Sequence, residues 1–180
     1  MNLIERLDKG PIISAEGYLF AMERRGNLSA GAFVPEVVIE HPEVVTQLHK
    51  EFVRAGSDVV QAFTYYGHRE KLRIIGKEHL LEQLQKDALQ IAKDAANEFK
   101  ELDLMVCGDV ANTNVYDPDD SSTIKQCQKM YEEQVLWAKE AGVDFIVAET
   151  INWVGEMKIA LEAIKRENMI AVTNFAIPRG

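Results

Sequence analysis

The chain has 180 residues, 47% of them hydrophobic and 27% charged, an ordinary globular composition with enough material for one core. Its formal net charge of −9, with no basic stripe, argues against a nucleic-acid partner. No apolar run approaches ~18 residues, so no membrane span is expected, and a charged amphipathic N-terminus without a secretory core points to the cytoplasm.

Residues 11–15 form a first strand candidate, entered by the Gly10-Pro11 turn and ended at Glu16-Gly17. Residues 18–25 carry apolar positions at helical spacing and stop at Gly26. Residues 27–35 read as loop. Pro42 suits a first helical turn, and Val44, Val45, Leu48, Phe52 and Val53 follow a 3.6-residue period up to Gly56. A second strand is expected over 58–63 and a long helix over 78–99. A third strand is expected over 104–110. Ser121 or Ser122 caps the helix that ends at Ala141-Gly142. A fourth strand over 143–148, a helix over 154–166 and a fifth strand over 169–175 complete the series.

Alternating strands and helices, with apolar rather than alternating strands, indicate an α/β protein whose parallel sheet is covered on both faces. About five parallel strands admit two architectures. One is an open five-stranded sheet, and the other is an incomplete (β/α)8 barrel, since a full barrel typically takes ~250 residues. A single domain over 1–180 is expected, because no linker or low-complexity segment interrupts it.

Polar side chains gather where the strands stop, which is where parallel α/β proteins bind ligands. They are Glu16, Thr64, Tyr66, Asn112, Asn114, Glu149 and Asn174. Carboxylates in such a ring suit an ammonium group, and Asn or Thr can orient a carboxylate. His41, His49, His68 and His79 show no metal-ligand spacing; His68 lies within reach of the ring but reads better as a cap. Cys107 and Cys127 read as buried structural residues with no disulfide framework. The acidic loop 112–120 lacks the spacing of a calcium loop. Gly-x-Gly-x-x-Gly, Walker and Gly-x-Ser-x-Gly patterns are missing, which weakens nucleotide-binding and serine-hydrolase readings.

Taken together, certain segments resemble a known family. They are Glu23-Arg24-Arg25-Gly26, His41-Pro42-Glu43, Arg54-Ala55-Gly56-Ser57, Gln61-Ala62-Phe63-Thr64-Tyr65-Tyr66 and Val143-Asp144-Phe145-Ile146-Val147-Ala148-Glu149. The series resembles the N-terminal part of the homocysteine S-methyltransferase family, betaine branch. That resemblance implies a (β/α)8 barrel in which zinc, held by three cysteines, binds homocysteine as a thiolate that takes a methyl group from a small donor to give methionine. Glu149 matches the carboxylate that holds the amino group. Glu16-Gly17 stands where the family has Asp-Gly, and Thr64 and Tyr66 match the site residues of the next strand. On the donor side the resemblance points to Phe33, with Asn112 and Asn114 as neighbours. Thr150 stands where the betaine branch has Tyr.

The family's Gly-x-Asn-Cys and Gly-Gly-Cys-Cys-Gly segments do not occur here. The expectation is therefore an amino-acid-binding half without zinc ligands, inactive alone. It would belong to a fragment or split enzyme, completed by a C-terminal half or by oligomerisation. The alternative is a non-catalytic five-stranded module that binds an amino acid or a partner.

Overall fold

Four apolar segments pair into one parallel sheet: β1 (Val59–Gln61), β2 (Met105–Ala111), β3 (Phe145–Ile151) and β4 (Ala171–Phe175). They lie side by side in sequence order. The computed structural model describes residues 1–28 and 34–177. The order has no reversal among the described residues, so the sheet is the sequential kind found in a partial barrel and not the doubly wound kind.

The first expected strand, 11–15, is corrected to a single parallel bridge between Ser14 and Val59. Pro11 has no N–H to give a ladder. The amide of Ile13 is taken by the Asp58 carboxylate at 2.8 Å, and Ser57 Oγ donates to the Ile13 carbonyl at 3.2 Å. One backbone bond, from the Asp58 amide to the Ile13 carbonyl at 2.7 Å, joins these side-chain contacts in place of a full fifth strand.

Helices fill the connections. They are α1 (Leu3–Leu7), α2 (Tyr18–Arg24), α3 (Val37–Glu40), α4 (Pro42–Arg54), α5 (Arg69–Ile74), α6 (Leu81–Asn97), α7 (Ser121–Ala141) and α8 (Val154–Arg166). Three are too short for periodicity to reveal: α1, α3 and α5 have 5, 4 and 6 residues. Side-chain caps define α1 and α5 instead. Asn2 and Glu5 form a reciprocal capping box at α1, and His68 accepts from the Lys71 amide at α5. The helix expected over 78–99 begins as a 3-10 turn, Glu78–Leu80, before α6. The cap of α7 is Asp120, which accepts from the Ser122 amide at 2.8 Å, in place of the expected serine.

Alternation along each strand sorts side chains onto two faces. Val60, Val106, Val110, Ile146 and Ala148 point outward and pack with Leu89, Tyr131, Val135 and Ile164 of the covering helices. Val59, Met105, Cys107, Phe145 and Val147 point to the concave side, where Leu3 of α1 packs against them.

On the outer face Gly108 lets α7 approach closely. A Cβ built there would lie 3.0 Å from the Ala138 Cβ and 3.5 Å from Ile146 Cγ1. Because Ala138 is fixed to the α7 backbone, it cannot turn aside. Gly108→Val is expected to lower unfolding stability by about 1–3 kcal/mol through overpacking, read as a reduced urea midpoint at unchanged slope.

Candidate functional site

Above the apolar floor, the next concave positions on three adjacent strands are polar: Gln61 on β1, Asp109 on β2 and Glu149 on β3. Register makes this layer. Gln61 pairs with Cys107, and Glu149 pairs with Ala111, so the three side chains converge across neighbouring strands. They line a cleft of about 270 Å³ with Glu16, Gly17, Thr150 and an aromatic wall of Tyr18, Phe20, Phe63 and Tyr65.

Gln61 Nε2 donates to Glu149 Oε1 at 2.8 Å. Asp109 is only 3% exposed, and among the described residues no donor makes a well-formed hydrogen bond to either of its carboxyl oxygens. Burial pushes its carboxyl well above the usual carboxylate range, and the Glu149 charge pushes it further. Glu149 is also raised, first by burial and then by the charge of Glu16, against the lowering effect of the Gln61 bond. The described residues lining the cleft include three acids and no Lys, Arg or His. Such a field favours a cationic ligand group.

Backbone strain concentrates here. Thr150, a β-branched residue, has φ 55°, and its buried hydroxyl makes no well-formed hydrogen bond among the described residues. It lies inside a register shift between Ala148 and Ile151. Gly17 has φ 82° at the start of α2, where a side chain would be strained.

Of the residues expected from sequence, Glu16, Gly17 and Glu149 line the cleft. Thr64 is buried beside it, its hydroxyl donating to the Asp109 carbonyl at 2.7 Å, so it ties the end of β1 to β2. Tyr66 sits in a left-handed turn, φ 57°, with the Lys71 Nζ 4.0 Å above its ring; its neighbour Tyr65 supplies the cleft wall. Asn112 Nδ2 donates to Asn114 Oδ1 at 3.0 Å in the loop after β2, and neither lines the cleft. Asn174 is exposed on β4. Phe33 lies outside the described residues.

Sequence reasoning missed Gln61, Asp109, Tyr18 and Tyr65 as side chains of the site. The signal for Asp109 was a lone carboxylate inside an otherwise apolar strand, which is costly unless it has a use.

A sequence profile described as Homocysteine S-methyltransferase matches residues 17–179. The chain belongs to the homocysteine S-methyltransferase family. Betaine–homocysteine S-methyltransferase 1 of Sus scrofa is 35% identical over 185 residues, covering 99% of this chain and 65% of that protein. The Bos taurus protein of the same name is 36% identical, covering 99% of this chain and 44% of its own length. The chain thus spans less than two thirds of these curated relatives. The metallated form of the homocysteine methyltransferase MmuM from Escherichia coli superimposes with a TM-score of 0.78 at 22% identity, covering 97% of this chain and 65% of that one. At that identity the likeness is one of fold, an incomplete homocysteine-methyltransferase barrel.

The family implies zinc, and this chain's residues do not fit a zinc–thiolate centre. Cys107 lies on the concave floor and Cys127 in the outer core, 3.1 Å from Thr113 Oγ1. Burial raises the Cys107 thiol well above its ordinary value and the Cys127 thiol to about 11, so both are protonated at neutral pH. Among the described residues no group of three His, Cys, Asp or Glu side chains is arranged to hold a metal. Among the described residues no helix is long and apolar enough to cross a membrane.

Two histidines brace the walls. His49 is fully buried on α4, with Nδ1 3.0 Å from the Tyr18 hydroxyl. Burial lowers it to about 3, and burial with the nearby Lys71 charge lowers His68 to about 4. The unfolded chain therefore takes up protons below about pH 6.5 that the folded chain refuses, so these groups remove stability as pH falls. His49→Leu is expected to flatten the stability-versus-pH slope between about pH 6 and 4 by up to about 1.4 kcal/mol per pH unit, read from urea midpoints across that window.

Proposed function

We propose that this chain binds the amino-acid part of homocysteine in the cleft, as one half of a homocysteine S-methyltransferase site. The supporting observation is the carboxylate pair Glu16 and Glu149 at one rim of an aromatic-walled cleft. The carboxylates suit the α-ammonium group, and Gln61 fixes Glu149 through its 2.8 Å bond. Tyr18, Phe63 and Tyr65 suit the thioalkyl chain, since they exclude water from its apolar length.

Methyl transfer from a small donor needs a deprotonated thiol, because a free thiol is a poor nucleophile at neutral pH. The cleft's acids work against that step: negative charge disfavours a thiolate. The activating half of the site must come from residues other than these. The exposed β4 edge, with Val172 and Phe175 at 37% and 44% exposure, suits a complementing half of the barrel. This reading places the chain in the cytoplasm, as an inactive partner until completed.

A non-catalytic amino-acid-binding module is the second reading, favoured by the buried, protonated state of both thiols.

Calorimetry with L-homocysteine tests the binding claim. Wild-type chain is expected to bind, and Glu149→Gln is expected to weaken binding about 10- to 100-fold, the worth of one hydrogen bond to a charged group. A zinc titration coupled to a methyl-transfer assay tests the rest. No turnover is expected from these residues alone; stoichiometric zinc binding with methionine formation overturns it.

A further inference from the structure

Asp109 is not explained by a two-carboxylate site. A carboxyl buried without hydrogen bonds is among the most costly groups a protein can hold. Here it occupies the middle of β2, where the alternation of an apolar strand offers an apolar residue at no such cost. Its concave neighbours are Gln61 on β1 and Glu149 on β3, and the Gln61 amide gives one of its two N–H groups to Glu149. The second Gln61 N–H is a nearby donor and makes no well-formed bond to Asp109, so both Asp109 oxygens line the cleft unsatisfied by the described residues.

The ligand group that satisfies this arrangement carries several N–H donors and a positive charge. A metal ion is disfavoured, since the described acids do not converge into a three-ligand group. A primary ammonium has three N–H donors. Glu16, Asp109 and Glu149 offer three carboxylates around one cleft.

We propose that Asp109 is a third carboxylate of the ammonium subsite, that it shares a proton with Glu149 when no ligand is bound, and that it releases the proton to solvent as the ammonium enters. The inference rests on the amino-acid reading of the cleft. Two carboxylates side by side in a low-dielectric site cannot both ionise cheaply, so one proton stays between them. An arriving cation supplies the missing positive charge and displaces that proton.

The other titratable groups facing the pair are consistent with this. Glu16 adds negative charge from the segment before α2. Tyr18 and Tyr65 are neutral phenols raised by burial, and Cys107 beneath is a protonated thiol. None of them supplies positive charge. The linkage sign follows: unliganded protein holds one more proton than liganded protein, so affinity rises with pH until the pair ionises on its own. The limiting slope is about tenfold per pH unit.

The test is calorimetry in two buffers of different ionisation enthalpy, with three probes and no metal. L-Homocysteine carries both the ammonium and the thiol. L-2-Aminobutyrate lacks the thiol, so a proton released on its binding comes from the protein. 4-Mercaptobutanoate lacks the ammonium.

Wild-type chain is expected to bind both amino acids with release of up to one proton, more tightly at higher pH, and to bind 4-mercaptobutanoate at least tenfold more weakly. Asp109→Asn is expected to bind L-2-aminobutyrate with no proton release and a flattened pH profile. Amino-acid binding by the wild type without proton release overturns the proposal, whether or not the variant folds. Equal release from wild type and Asp109→Asn overturns it too, as does failure of both amino acids to bind. If L-2-aminobutyrate binds with proton release but as tightly as homocysteine, the thiol-substrate reading fails while the role of Asp109 stands.

Discussion

The register between β2 and β3 is the constraint on which the site depends. Cys107 sits beside Phe145, Asp109 beside Val147 and Ala111 beside Glu149. Every second residue faces the concave side, so a slip of one place would send Asp109 into the helix-covered core and bring Gly108 to the cleft. The outer face resists such a slip. Gly108 admits the Ala138 methyl, and Ile146 and Val110 fill the space on either side. Packing on the convex face thereby fixes chemistry on the concave one.

A second buried network holds the rim. Glu156 of α8 accepts from the Thr113 amide at 2.7 Å, from the Thr113 hydroxyl at 2.6 Å and from the Tyr131 hydroxyl at 3.2 Å. Three donors converge on Oε1 of a carboxylate in a residue that is 2% exposed, in contrast to Asp109, which is as buried and has no well-formed donor among the described residues. The comparison separates an acid that the fold satisfies from one that it leaves unsatisfied beside a cleft. Burial is common to both, and the supply of donors distinguishes them.

Much of this was legible in the sequence. Helices α4, α6, α7 and α8 announce themselves by apolar period, and β2 to β4 by apolar runs between Gly and charged turns. Glu16 and Glu149, which line the cleft, were marked because strand ends are where such folds bind ligands, and Gly17 entered through the family resemblance. Three kinds of feature stayed hidden. Short helices such as α3 have no period to detect. The pairing of segment 11–15 depends on Asp58, whose carboxylate and backbone amide both bond Ile13 from 45 residues away in sequence. The choice between Tyr65 and Tyr66 is made by a left-handed turn at Tyr66, a backbone state that residue type does not disclose. Asp109 was hidden because facing direction depends on register, a property of two strands and not of one.

The helix α1 closes the concave side from below. Leu3 packs against Phe145 and Val147, and Arg6 reaches the Asp58 carboxylate at 3.3 Å and the Asp103 carbonyl at the opposite end of the strands from the cleft. Those contacts seat a five-residue helix beneath the apolar floor, so Leu3 thickens the apolar layer under Asp109 and Glu149 and adds to the low polarisability around both carboxyls.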